Sequence, residues 1–198
     1  IENGTHPENL NPFDFALTLS GICNSLDTII PCSSGGAFTV MMQAFNQKHG
    51  QVLITNKGLA SMGYGLAGAI GAAIAGSSRR TVLVEGDGGF SQNLQELATV
   101  AVQKLNLKIF IFANNGYASI RMTQKNYFDG AYLGCDVESG LGFPDWSLLS
   151  TAFGLNSIVL SEGFESNSEF LTSWNNSDPY LYVVPIHPEQ TYYPKISS

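Results

Sequence analysis

The sequence predicts an α/β fold: a doubly wound, mainly parallel sheet with helices on both faces. Three observations predict it. Short apolar strand-like runs alternate with helix-like runs along the chain. The central strand runs, Thr81-Val82-Leu83-Val84 and Ile109-Phe110-Ile111-Phe112, are continuously apolar, as strands covered on both faces are. Both lead into turn clusters, Gly86-Asp87-Gly88-Gly89 and Asn114-Asn115-Gly116. Open α/β sheets place ligands at such carboxyl ends.

The elements follow in order. Asn11 as N-cap and Pro12 in the first turn open a helix through Phe13-Asp14-Phe15-Ala16-Leu17-Thr18-Leu19. Thr28-Ile29-Ile30 is a short strand, and Ser33-Ser34-Gly35-Gly36 turns into a helix from about Phe38 to Gln47. Gln51 to Thr55 is a strand. A helix from Met62 to Ala75 ends at Gly76. The Thr81–Glu85 strand follows, then a helix from about Asn93 to Lys104 and the Lys108–Ala113 strand. Helical Trp146–Ala152, strand Ser157–Leu160, a helix near Glu165–Trp174 and strand Leu181–Val184 complete the series. Residues 1–9 and 186–198 read as polar, proline-bearing tails around a core of about residues 12–185.

Composition narrows the function classes. The chain has 198 residues, enough for one domain. Charged residues make up only 13%, which implies much buried or subunit-covered surface, and the net charge of −7, without any Lys/Arg cluster, argues against nucleic acid. Cys23, Cys32 and Cys135 have no metal-ligand spacing and leave one over in any disulfide scheme, so they read as free thiols of a reducing cytoplasm. No secretory signal is visible. The apolar stretch Leu59–Ala75 falls short of the ~20 residues that span a bilayer and is rich in Gly and Ala, so it reads as a packed interior helix rather than a membrane segment. The chain opens at Ile1 without Met and enters through polar Glu2-Asn3-Gly4-Thr5-His6, as a domain cut from a longer protein would.

The two turn clusters carry the chemistry. Adjacent parallel strands ending together bring Asp87 and Asn114, 27 positions apart, side by side. A carboxylate and an amide oxygen are hard ligands suited to Mg²⁺, which keeps further sites for phosphate oxygens and water. Gly88 and Gly89 carry no side chain, so a diphosphate can approach their N–H groups at the start of the next helix. The competing readings are a helix N-cap at Asp87 and an unliganded Asn-Asn-Gly turn.

These residues resemble the diphosphate-binding motif of thiamine diphosphate enzymes, which opens with Gly-Asp-Gly and closes with Asn. Upstream, Gly58-Leu59-Ala60-Ser61-Met62-Gly63-Tyr64-Gly65-Leu66 and Ala69-Ile70-Gly71-Ala72-Ala73 are similar to the stretch before the motif in acetolactate synthases. Downstream, Asn115-Gly116-Tyr117, Phe143-Pro144-Asp145 and Ala152-Phe153-Gly154 also fit. The resemblance covers about residues 12–185. It implies thiamine diphosphate and Mg²⁺ as cofactors, the ion being held by Asp87, Asn114 and the carbonyl of Gly116. It implies a cofactor pocket formed by Gly35, Gly36, Met62, Gly86, Asp87, Gly88, Gly89, Asn114, Gly116 and Tyr117. Met62 stands where a bulky apolar residue wedges between the two cofactor rings and bends them together; its plain alternative is a core methionine.

Ser33-Ser34-Gly35-Gly36-Ala37 is similar to a loop near the diphosphate, but Gly36 and Ala37 stand where the acetolactate synthases carry Gln and His. Backbone contacts are expected to serve there instead. Arg121 and Gln124 fall on a helix that approaches the substrate side of the cofactor in related carboligases, and substrate recognition is their candidate role. Glu96 reads as a structural helix residue, and His6, His49 and His187 suggest no catalytic histidine.

The family chemistry also needs a glutamate that holds a proton on the aminopyrimidine ring, and that residue sits on a separate pyrimidine-binding domain. No second domain fits in this length. The expectation is therefore a diphosphate-binding domain that is inactive alone, completed by a pyrimidine-binding domain of the same or another chain and homo-oligomeric in the full enzyme. That enzyme would decarboxylate or ligate a small 2-oxo acid such as pyruvate. The alternatives are the small subunit of a two-chain 2-oxo acid decarboxylase and a non-catalytic module for phosphate or nucleotide. An oxoacid–ferredoxin oxidoreductase subunit is disfavoured by the lack of cysteine clusters.

Overall fold

In the computed structural model, which describes residues 6–192, six parallel strands form one sheet in the order β2-β1-β3-β4-β6-β5. They are β1 (Thr28–Ile30), β2 (Val52–Leu53), β3 (Thr81–Gly86), β4 (Leu107–Ala113), β5 (Asn156–Val159) and β6 (Tyr180–Pro185). The helices are α1 (Pro12–Ile22), α2 (Gly35–Ala44), α3 (Tyr64–Ala75), α4 (Asp87–Phe90), α5 (Leu97–Val102), α6 (Ala118–Tyr127), α7 (Trp146–Ala152) and α8 (Ser168–Asn175). Parallel strands need crossover connections, and the helices supply them on both faces. The doubly wound α/β expectation holds.

The strand sequences build two cores by simple alternation. Val82, Val84, Phe110, Phe112, Tyr182 and Val184 point toward α1, α2 and α8, where they meet Phe15, Leu19, Phe38, Met41, Phe170 and Trp174. Leu83, Ile109, Ile111, Leu181 and Val183 point the other way, toward Leu66 and Ile70 of α3, Leu97 and Val100 of α5 and Trp146 of α7. Central strands β3 and β4 pair over their whole length, with Gly86 opposite Phe112. This register delivers Asp87 and Asn114 to one edge of the sheet, beside the turn after β1 where the strand order changes direction.

Asn11 caps α1 as expected, accepting from the Phe13 and Asp14 amides at 2.9 and 3.4 Å. Some elements shift at their ends, the strand expected over Gln51–Thr55 shortening to Val52–Leu53 and the helix expected from about Phe38 to Gln47 running Gly35–Ala44; two differences go further. The helix expected from Asn93 to Lys104 is broken: a 3-10 turn covers Ser91–Glu96 and α5 starts only at Leu97. The break lies at Asn93 (φ −141°), whose side chain donates to the Gly63 carbonyl at 3.0 Å and ties the turn to the start of α3. The second difference is the C-terminal segment. Residues 186–192 are not a loose tail. Ile186 donates to the Ala113 carbonyl at 3.1 Å, and Ile186, Gln190 and Tyr192 are all buried. Residues 193–198, and 1–5 at the other end, lie outside the described residues.

All three cysteines are free and buried. Among the described residues no helix is long and apolar enough to cross a membrane; the Gly/Ala-rich stretch is the 12-residue α3.

Candidate cofactor site

Asp87 is nearly fully buried. Its Oδ1 accepts from the Gly88 amide at 2.7 Å, and its Oδ2 accepts from the Asn114 amide across the strand ends at 2.9 Å. Burial pushes the Asp87 carboxyl up to about 6, against the opposing pull of the Gly88, Asn114, Gly116 and Asn115 amides. A carboxylate held this way, with no basic side chain paired to it, gains from a nearby cation. The Asp-as-N-cap reading accounts for less: α4 has four residues and no side-chain capping bond.

One end of the Asn114 carboxamide stands 2.7 Å from the Gly116 carbonyl oxygen and 3.3 Å from Asp87 Oδ1. With its nitrogen at that end, the amide donates to both oxygens. With its oxygen there, three oxygens converge with no proton between them, and a cation is what settles them. Octahedral Mg²⁺ at 2.0–2.1 Å sets neighbouring ligand oxygens about 2.9 Å apart. The two Asn114 spacings, 2.7 and 3.3 Å, lie on either side of that separation. Among the described residues no group of three His, Cys, Asp or Glu side chains could hold a metal. The donor set is carboxylate, amide and carbonyl, which suits a hard ion.

A cavity of about 280 Å³ opens directly on this cluster. Gly35, Gly36, Met62, Gly86, Asp87, Gly88, Gly89, Asn114, Gly116 and Tyr117 all line it, so every expected pocket residue meets in one place. Bare glycine backbone forms the cradle. A Cβ on Gly88 would collide with the Tyr117 ring, and one on Gly89 would stand 2.7 Å from Glu85 Oε1. Only glycine lets the Tyr117 ring and the Glu85 carboxyl lie this close to the backbone. Met62 is 43% exposed on the cavity wall, just before Gly63, whose φ of +84° starts α3. A methionine left this open is not a core residue.

Two candidates fall elsewhere. Arg121 is buried and committed to backbone carbonyls: Nη2 donates to Asn114 at 3.1 Å and Pro188 at 2.7 Å, and Nη1 to Asn115 at 3.2 Å. It fastens the Asn114-Asn115 turn to the C-terminal segment, and both of its terminal nitrogens are spent on backbone carbonyls. Gln124 bonds both the N–H and the C=O of Leu133, at 3.1 and 3.2 Å. Glu96 accepts from Thr99 within its own helical turn, as a structural residue does.

The sequence reading missed Glu85 and Tyr192. Glu85 lines the cavity floor, buried, with Oε2 lacking any hydrogen-bond partner. Burial raises its pKa to about 8, while the Leu66 and Gly65 amides of α3 draw it back. The signal was a lone acid closing an apolar strand. Tyr192 had no such signal, because it stands far along the chain from either turn cluster.

The fold and this site define a thiamine diphosphate-binding domain, and comparison with known proteins agrees. Residues 34–182 match the family described as thiamine pyrophosphate enzyme, C-terminal TPP binding domain, and the chain belongs to that family. Within it the chain is acetolactate synthase-like. It is 32% identical over 143 residues to the acetolactate synthase isozyme 2 large subunit of Escherichia coli (strain K12), covering 72% of this chain and 26% of that one. It is also 32% identical over 162 residues to the probable acetolactate synthase large subunit of Methanococcus aeolicus, covering 82% and 26%. The chain thus spans about a quarter of the length of these relatives. Among solved structures, the thiamine diphosphate-dependent 4-hydroxybenzoylformate decarboxylase of Rhodococcus jostii RHA1 superposes with a TM-score of 0.81 at 20% identity, over 96% of this chain and 35% of that one. That likeness bears on the fold.

Proposed function

We propose that this domain binds thiamine diphosphate through Mg²⁺ as one half of the active site of an enzyme that decarboxylates or ligates 2-oxo acids. The observation that carries the reading is the convergence of Asp87, Asn114 and the Gly116 carbonyl on a glycine-lined cavity. Asp87 and Asn114 supply side-chain oxygens to the ion and Gly116 its carbonyl. The backbone of Gly88 and Gly89, with that of Gly35 and Gly36, lines the part of the cavity that would take the diphosphate, while the Gly88 amide itself stays with Asp87 Oδ1. Met62, on the cavity wall, would be the residue that wedges against the cofactor rings, and Tyr117 walls the cavity over Gly88. When bound, the cofactor supplies an electron sink for breaking the bond beside a 2-oxo group.

The partner in this reading is a pyrimidine-binding domain, from the same or another chain, that contributes the glutamate holding the aminopyrimidine proton. No residue of the described cavity takes that part: Asp87 is committed to the ion, and Glu85 is walled in between Gly65 and Gly89. The chain alone is accordingly inactive toward pyruvate and binds cofactor weakly, and the full enzyme is a homo-oligomer of the reducing cytoplasm. The test is calorimetric titration with thiamine diphosphate and with ATP, each with Mg²⁺, on the chain and on Asp87→Ala. The reading expects Mg²⁺-dependent binding of thiamine diphosphate that Asp87→Ala abolishes. Preference for ATP, or turnover of pyruvate by the chain alone, contradicts it.

A further inference from the structure

The turn that carries Asn114 and Gly116 is gripped by one side chain from α6. Arg121 is 9% exposed and forms no ion pair among the described residues; its partners are all backbone carbonyls. Its guanidinium takes two consecutive carbonyls of the turn. Nη2 donates to Asn114 at 3.1 Å and Nη1 to Asn115 at 3.2 Å. Asn115 makes the bend between them with a left-handed φ of +56°, which Asn accepts more readily than most residues. The next carbonyl, that of Gly116, receives the Ala118 amide at 3.1 Å and stands 2.7 Å from the Asn114 carboxamide, in the oxygen cluster. Gly116 also keeps room for the guanidinium, since an added Cβ would stand 2.5 Å from Nη1 and 3.3 Å from Cζ. Nη2 reaches on to the Pro188 carbonyl at 2.7 Å, so the same group anchors the turn to the C-terminal segment. Arg121 does this from the neighbouring cavity of about 420 Å³, not from the one that opens on Asp87.

We propose that Arg121 is a positioning residue for the divalent cation: by holding the Asn114 and Asn115 carbonyls, its guanidinium fixes the turn so that the Asn114 side chain and the Gly116 carbonyl reach the ion. This rests on the ion site proposed above. The chemistry is specific to a guanidinium. It is a rigid planar fork that fixes two acceptors at once, where an ammonium is a point charge on a flexible stem. Buried carbonyls need donors, and two donors from one rigid group lock both peptide planes of the turn. The charge itself opposes a nearby cation, so geometry rather than charge is what Arg121 contributes. The coupling is reciprocal: a clasp that favours the ion is itself tightened by the ion.

The test is competition of Mg²⁺ and of Ca²⁺ against Mn²⁺, followed by electron paramagnetic resonance with thiamine diphosphate present, on the chain and on Arg121→Lys. The substitution keeps the charge and removes the fork. Mg²⁺ demands near-ideal octahedral geometry, whereas Ca²⁺ tolerates departures from it. The expected result is Mg²⁺ affinity about tenfold weaker, the range of one lost charge-assisted hydrogen bond, with Ca²⁺ affinity falling clearly less. A merely structural role would lower the folded fraction and weaken both ions by the same factor, so an unchanged ratio of the two affinities overturns the proposal. A second measurement needs no variant. In the unaltered ¹⁵N-labelled chain, the Arg121 guanidinium protons should exchange with water more slowly with thiamine diphosphate and Mg²⁺ than with thiamine diphosphate alone; exchange indifferent to the ion overturns the proposal too. Failure of the unaltered chain to bind Mn²⁺ overturns the ion site itself, a different outcome from failure of the Arg121 role.

Discussion

Substituting Gly65 by Ala puts a methyl group where the Glu85 carboxyl stands. The new Cβ would collide with Oε2 and lie 2.6 Å from Cδ and 3.0 Å from Oε1. Glu85 has little room to retreat, since the carboxyl is buried and its other oxygen already fills the space beside Gly89. Overpacking of this kind costs about 1–3 kcal/mol. Against it, Ala in place of Gly in a helix gains up to about 1 kcal/mol. The net expectation is a loss of roughly 1–2 kcal/mol, or about 2–8 °C in thermal midpoint for a chain of this size. Removing the obstacle reverses the sign. In a Glu85→Ala background the same Gly65→Ala change stabilises by up to about 1 kcal/mol, because only the helix term remains. Urea unfolding of the four proteins closes a double-mutant cycle, and the coupling between the sites should be about 2–3 kcal/mol. Equal effects of Gly65→Ala in both backgrounds would refute the claim that the carboxyl is what keeps position 65 bare.

Glu85 also makes stability depend on pH. Its folded pKa lies above its unfolded value of 4.5, so the stability it contributes is complete below about pH 4.5 and lost as pH rises through about 8. The difference curve between the chain and Glu85→Gln should fall across that window, by at most roughly 5 kcal/mol; a flat difference would show that Glu85 is not buried in its protonated form. For the ion, Asp87 must be ionised, and its pKa is about 6. Mg²⁺ affinity in the presence of thiamine diphosphate should therefore be level above about pH 7 and drop about tenfold per pH unit below 6; an affinity indifferent to pH would remove Asp87 from the ligand set. Lys108, fully buried in β4, holds the turn after α8 through the Ser173 carbonyl (2.8 Å), Asn176 Oδ1 (3.2 Å) and the Asp178 carbonyl (2.5 Å). Lys108→Met, which keeps the bulk and strands the acceptors, should cost about 1–3 kcal/mol in urea unfolding, and a neutral result would show that these bonds do not hold the turn.

The fold was legible because its period was. Strands such as Ile109-Phe110-Ile111-Phe112 are apolar on both faces, and each residue does go to the core its parity assigns. The cofactor pocket was legible because its two turns are local, so glycine and ligand spacing could be read off one stretch each. What escaped depends on contacts between distant segments. The Asn93 break needs Gly63, 30 positions away, to explain it. Arg121 looked like a substrate residue on its helix, yet its guanidinium is consumed by a carbonyl 67 positions further on. Tyr192 meets Gly36 only after the whole sheet has formed. The tail looked unstructured because its polar and proline residues carry no period, although Arg121 and Ala113 hold it.

The central claim is that one ion site joins the ends of β3 and β4. The direct measurement is paramagnetic broadening of backbone amide signals by Mn²⁺ with thiamine diphosphate, in ¹⁵N-labelled chain. The account predicts that the signals of residues 86–89 and 114–117 disappear first, and that Asp87→Ala leaves them intact. Broadening centred elsewhere, for example on Asp136, Glu138 and Glu189 around the neighbouring cavity, or broadening that survives in Asp87→Ala, would contradict it.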